Sequence, residues 1–326
     1  MQVIQVENRP ASHALYTVAG RLLFTESFND QLRNLIEVLF AGWQLTPVSS
    51  TDKPPDIRIS FFCGDKQPCI PDNLNQFEIA GGGQCYTGGG ELYLALQDSL
   101  VHLKETNVDV WFGQLPNPRD PLLATVTSFA VCAALRRFGL FDMHSAGVVE
   151  PESDMGVLIV GPSGSGKSTL ALQLALSGWA YLSDDELLLS LVDGVVQARG
   201  FRRFFAVSQA GAAVKDRFEP DVSLGLKRLS HTPAGIVLFV NLSGEAKSEI
   251  RKLTQAESMM RLIRACPWAT YDTSVASANL EVLSTLARQA IAFELSAARD
   301  LLQPGYAAEL LRVSRSSMRR RSLSRV

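Results

Sequence analysis

The run Gly161-Pro162-Ser163-Gly164-Ser165-Gly166-Lys167-Ser168 has a spacing suited to one kind of chemistry. Its glycines let successive backbone N–H groups turn inward around phosphate oxygens, where a Cβ would block the approach. Lys167 offers a point charge to the β- and γ-phosphates, and the Ser168 hydroxyl is a ligand for Mg²⁺. Thr169 opens a helix whose N-terminal dipole faces the same anion. The expected occupant is a nucleotide, with Mg²⁺ on its phosphates. Two adjacent acids, Asp184 and Asp185, follow in the same stretch and add carboxylates suited to a metal or a proton.

The flanking residues predict the elements that position these groups. Gly156–Val160 is apolar and short, as a buried strand of a parallel sheet is. Thr169–Leu176 continues as a helix, Gly178 is placed to end it, and Trp179–Ser183 reads as a second strand ending at the acids. A right-handed strand–helix–strand crossover brings the carboxyl ends of both strands to one sheet edge. Both carboxylates then belong beside the phosphate loop, with Asp184 as base and Asp185 near the metal, or the two in reverse order. Upstream, His144 in FDMHSAGVV is either a structural histidine or a group that meets a phosphate oxygen or tunes the neighbouring Asp.

The stretch from Gly161 to Asp185, with its phosphate loop, helix and paired acids, resembles the catalytic core of the HPr kinase/phosphorylase family and related bacterial serine kinases. Their fold is shared with phosphoenolpyruvate carboxykinase. The segment around His144 is similar to the His-containing strand ahead of their phosphate loop. The resemblance covers residues 141–300 and is strongest over 156–186. It implies ATP- and Mg²⁺-dependent phosphoryl transfer to a hydroxyl, of a protein or peptide serine or of a small molecule. It also implies a loop-adjacent Asp as base and the upstream His near the phosphates. Arg299, in FELSAARD, matches a late Arg that related kinases aim at the transferred phosphoryl group; otherwise it is a surface Arg paired with Asp300 or Glu294. The implied fold class is α/β, a P-loop mixed-sheet nucleotide-binding domain preceded by a smaller α+β domain.

The rest of the chain sets the frame. At 326 residues, 46% hydrophobic and 20% charged, it reads as a globular chain long enough for two cores. A net charge of -2 argues against nucleic acid as partner. That bears on residues 199–217, where Arg199, Arg202, Arg203, Lys215 and Arg217 lie among aromatics as a phosphate grip or a solvated face. Five cysteines without a Cys-x-x-Cys pair read as free thiols of a reducing cytoplasm. Neither a secretory signal nor an apolar run long enough to span a bilayer is apparent, so cytoplasmic location is expected. Residues 1–118 read as an α+β domain of unknown role, with hairpin turns at the Gly triplets of 77–96. Asp120-Pro121 should cap and open a helix at the boundary, so the catalytic domain is 119–311. Asp193-Gly194 predicts a hairpin and Thr254-x-x-Glu257 a capping box. The Arg/Ser-rich tail 312–326 is expected to be disordered. Two other readings stay open: an ATPase in which Asp185-Glu186 orients water, and a nucleotide-binding module without turnover. Oligomeric state, a homo-oligomer included, is also open.

Overall fold

Ile57, Ile59 and Phe61 alternate with polar residues and are buried, while Arg58 is exposed, as the two-residue period of a strand requires. This patterning dominates the first of two units into which the chain divides, residues 1–140 with 270–276; the second is 141–269 with 277–326. The structure, a computed structural model, describes residues 12–64, 67–79, 82–118, 120–208 and 215–323. No helix among them is long and apolar enough to cross a membrane. All five cysteines are free; Cys85, Cys132 and Cys266 are buried, and Cys69 is exposed.

The first unit contains β1 (Ser12–Val18), β2 (Arg21–Ser27), α1 (Asp30–Ala41), β3 (Thr46–Pro47), β4 (Ile57–Cys63) and β5 (Asn75–Ile79). It continues through β6 (Gly83–Gly88), β7 (Glu91–Leu96), β8 (Ser99–Lys104), β9 (Asn107–Phe112) and α2 (Pro121–Arg136). The strands form one nine-stranded sheet in the order β3-β1-β2-β4-β9-β8-β7-β6-β5. The second Gly triplet closes the β6–β7 hairpin as expected, with Gly88 opposite Glu91. Helix α2 begins as predicted: Asp120 Oδ1 accepts the Leu122 N–H at 2.8 Å and Pro121 takes the first helical position. It is apolar on nearly every face and packs on β4, β8 and β9, so it goes with the first sheet. The sequence-based boundary lay ahead of this helix, at 118/119. Just past α2, Arg137 Nη1 reaches both Asp272 carboxylate oxygens at 2.9 Å.

The second unit opens with β10 (Phe141–Met143), β11 (Ser145–Val149), β12 (Gly156–Val160), α3 (Lys167–Leu176) and β13 (Ala180–Ser183). Then come β14 (Leu187–Val192), β15 (Val195–Gly200), β16 (Phe205–Ser208), β17 (Lys215–Phe218), α4 (Pro220–Leu224) and β18 (His231–Leu242). The remainder is β19 (Glu249–Lys252), α5 (Gln255–Ala265), the short α6 (Trp268–Tyr271), α7 (Ala276–Gln289), β20 (Ile291–Ala297), a 3-10 turn (Arg299–Leu302) and α8 (Tyr306–Leu323). The Asp193-Gly194 hairpin and the Thr254 capping box both form. The sheet runs β10-β14-β15-β18-β12-β11-β13, with β20 beside β18 and β19 beside β20. Strands β12, β18 and β20 are mutually parallel, whereas β11 is antiparallel to both β12 and β13. The fold is thus mixed α/β. His144 lies between β10 and β11 and not within a strand, a correction to the sequence reading.

Leu170 and Leu174 of α3 share a core with Val157, Ile159, Leu238 and Phe293 of the sheet. Ala307, Ala308 and Leu311 dock α8 on that core, and the helix runs on through Leu323. Residues 312–323, expected to be disordered, are therefore helical. No Gly or Pro interrupts them, Arg, Met and Leu are good helix formers, and the docked first turns supply the nucleus. Residues 324–326 of the expected tail lie outside the described residues.

The Arg137–Asp272 pair is the most exposed of these arrangements to a test. The two side chains are 11% and 2% exposed, so removing one partner strands a charge away from water. Asp272→Ala should lower stability by about 3–5 kcal/mol in chemical denaturation. Replacing both residues by apolar ones should recover most of that loss, and a loss under about 1 kcal/mol in the single variant would contradict the analysis.

Candidate functional site

The glycine-rich loop leaves β12 at its carboxyl end and is held against β18. A Cβ on Gly161 would stand 2.4 Å from the Val240 carbonyl oxygen and 2.6 Å from Ser165 Oγ, so the approach requires glycine. Gly166 has a φ of +89° and is the N-cap of α3, without any side-chain capping bond. The first-turn N–H groups of α3 thus receive no side-chain cap. Pro162, Ser163 and Gly164 form an exposed crest, while Ser165 and Lys167 are buried and Ser168 and Thr169 half-buried. Lys167 Nζ turns back into the loop and donates to the carbonyls of Gly161 at 2.8 Å and Pro162 at 3.1 Å. Ser165 Oγ is buried with no hydrogen-bond partner among the described residues.

Strand register brings the acids and the histidine to the same edge. Ser145, which opens β11, lies opposite Val160 at the end of β12, and Gly147 lies opposite Ser183 at the end of β13. His144 therefore stands between the carboxyl ends of two parallel strands. Its Nδ1 is 3.3 Å from Asp185 Oδ1, and the two side chains are 52% and 53% exposed. The protein packed around the ring holds the His144 pKa below the usual histidine value; Asp185 acts in the opposite direction, and Lys167 lowers it further. Pairing of Ser145 with Val160 puts His144 beside the root of the loop that leads to Lys167.

The neighbouring acids have different surroundings. Asp184 is 2% exposed, and its Oδ2 accepts the Ala206 N–H at 2.7 Å, which anchors the start of β16. Glu186 is gripped by Arg202, through Nε at 3.2 Å and Nη2 at 3.0 Å. The Arg202 N–H also donates to Ser183 Oγ at 3.1 Å. Arg202 of the basic–aromatic stretch thus serves the structure around the acids, and Phe205 of the same stretch is buried. Residues 209–214 of that stretch lie outside the described residues.

Arg299 lies elsewhere. It follows β20, which is separated from β12 by β18, whereas His144 and Asp185 lie across β11 on the other side. At about 4.8 Å per strand, the ends of β13 and β20 are about 19 Å apart. Arg299 is exposed, and neither suggested partner holds it. Glu294 is taken by Arg251 at 2.8 Å and Arg261 at 2.7 Å, and Asp300 accepts the Ser248 N–H at 2.8 Å. The loop, Asp185 and His144 are therefore brought together, Asp184 is buried beside them, and Arg299 is placed on the opposite flank. The Ser248–Asp300 clamp and the Arg202–Glu186 pair are polar contacts that sequence reasoning missed, because nothing local marks partners 52 and 16 residues apart.

No family model matches the chain, and no curated protein matches it. Among solved structures, the HPr(Ser) kinase/phosphatase from Coxiella burnetii is similar at 15% identity, covering 56% of this chain and 96% of that one, with a TM-score of 0.36. A similarity this loose carries no argument about individual residues, whose roles rest on the geometry above.

The electrostatics at His144 can be read directly by NMR titration of its ring. The pKa should fall below the ordinary histidine value of about 6.5. It should drop further in Asp185→Asn, which removes the favourable charge, and rise in Lys167→Met, which removes the opposing one. Indifference to both substitutions would show that the three groups do not share one site.

Proposed function

We propose that the chain is an ATP- and Mg²⁺-dependent kinase that transfers the γ-phosphate to a hydroxyl, of a protein or peptide serine or of a small molecule. The observation that carries this reading is the His144–Asp185 pair at the same sheet edge as the glycine-rich loop. The loop fits a phosphate on its own features. It has a glycine where a Cβ would strike backbone, a helix head without a side-chain cap, and a buried Ser165 hydroxyl in want of a partner. Residues Gly161 to Thr169 would line the phosphates, and Lys167 would exchange its loop carbonyls for phosphate oxygens. Ser168, with an oxygen of the Asp pair, would hold Mg²⁺, whose charge offsets that of the phosphates.

The proton falls to Asp185. Its carboxylate is half exposed and faces His144, so an acceptor hydroxyl can reach it; the imidazole, whose pKa the surrounding protein lowers, is kept neutral near pH 7. Asp184, buried and bonded to the Ala206 N–H, is better suited to hold the edge in shape. This reverses the first-named order of the sequence reading, in which Asp184 was the base. The ATPase reading loses its water-positioning group, because the Glu186 carboxylate is occupied by Arg202.

Incubation with γ-labelled ATP and host lysate, followed by location of the labelled species, tests the proposal. Asp185→Asn should reduce transfer by about 100-fold or more and leave ATP binding largely intact. Undiminished transfer in that variant would overturn the base assignment. Phosphate release without any labelled acceptor would favour hydrolysis, and an intact γ-phosphate after long incubation would favour a module without turnover.

A further inference from the structure

Strands β18 and β20 outrun β12. Val160, the last residue of β12, pairs with Phe239, but β18 continues to Leu242, which pairs with Ala297 of β20. At about 3.3 Å per residue, these two strands project about 10 Å beyond the root of the loop. The projection forms a wall along one side of the loop: Val240 meets Gly161, and Leu242 Cδ2 comes within 3.7 Å of a Cβ placed on Gly166.

The wall presents apolar surface that the fold does not use. Leu242 is 68% exposed and Leu302 is 54% exposed, although both belong to segments whose other leucines and valines are buried. The 3-10 turn that carries Arg299 and Leu302 is fixed in place. It packs on α3, its Leu301 joins the core, and the Asp300 carboxylate clamps both the N–H and the hydroxyl of Ser248. Ser248 Oγ in turn accepts the Ala298 N–H at 2.8 Å, and the Ser243 N–H reaches the Ala297 carbonyl at 2.8 Å. The backbone that carries Leu242, Arg299 and Leu302 is thus fixed on the flank away from His144.

We propose that this wall, through Leu242, Arg299 and Leu302, holds the nucleoside end of the nucleotide, so that Arg299 serves the ADP portion and not the transferred phosphoryl group. The inference rests on the phosphate-loop reading given above. With the transferred phosphate toward His144 and Asp185, as in that reading, the other end of a nucleotide in the loop points across to the wall. A purine is a flat apolar surface that gains by covering exposed leucine, and a guanidinium beside it suits the base face or the ribose hydroxyls.

Calorimetry with two probes, ADP and inorganic tripolyphosphate, separates the possibilities, because only ADP has a nucleoside. Leu242→Ser and Arg299→Ala alter exposed positions, so both variants should fold. Each should weaken ADP binding about tenfold while tripolyphosphate binds as to the wild type, in about 0.15 M salt, where charges 10 Å apart are largely screened. Lys167→Ala should weaken both probes. Equal losses for both probes in Arg299→Ala would place the arginine on the phosphates and overturn the proposal, as would unchanged ADP binding in the two wall variants. If the wild type bound neither probe, or Lys167→Ala bound both normally, the phosphate-loop reading itself would fail and the wall assignment with it.

Discussion

The direction of β11 is the constraint on which the site depends. Because β11 runs antiparallel between β12 and β13, its first residues meet the last residues of both neighbours. A parallel strand in that position would begin at the far edge of the sheet, about 16 Å away for a strand of this length. The reversal is what puts His144 within 3.3 Å of Asp185 and within the field of Lys167. Three groups from three separate elements converge without any long loop to position them, and the rigidity of the sheet passes directly to the edge.

The same edge distributes its charges by environment. Three consecutive acids, Asp184, Asp185 and Glu186, are treated in three ways. The first is sunk beneath the surface and satisfied by a backbone N–H, the second faces solvent and an imidazole, and the third is neutralised by a guanidinium. A carboxylate that is buried or tightly paired costs energy to free, so only the middle one stays available for exchange with a ligand or a proton. The hydrogen bonds that occupy Asp184 and Glu186 come from Ala206 and Arg202, neighbours in a segment that folds back over the acids. Through these two contacts that segment shapes the edge.

On the opposite side, the strands that outrun β12 and the clamped turn after β20 give the edge a second, apolar flank. The two flanks differ in kind: polar and titratable beside β11, with the exposed Leu242 and Leu302 beside β18 and β20. A phosphate loop lying between such flanks is asymmetric, and the asymmetry comes from unequal strand lengths and not from the loop residues.

Local chemistry made much of this legible in the residues alone. The glycine loop, the helix behind it, the Asp120 and Thr254 caps and the Asp193-Gly194 hairpin all follow from steric and hydrogen-bonding rules that act over a few residues. What only the tertiary structure decided concerns partners far apart in the chain. It placed β11 between β12 and β13, assigned α2 to the first sheet, and sent Arg299 to the far flank. It also chose which of two adjacent aspartates is buried, since Ala206 comes from outside the strand that carries them. The basic end of α8 looked unstructured because its sequence lacks an apolar face, and it was the docking of Ala307, Ala308 and Leu311 on a distant core that nucleated the helix. Sequence pattern specifies how a segment folds on itself; strand order and contact across the sheet arise from which apolar faces find each other, and no short window of residues encodes that.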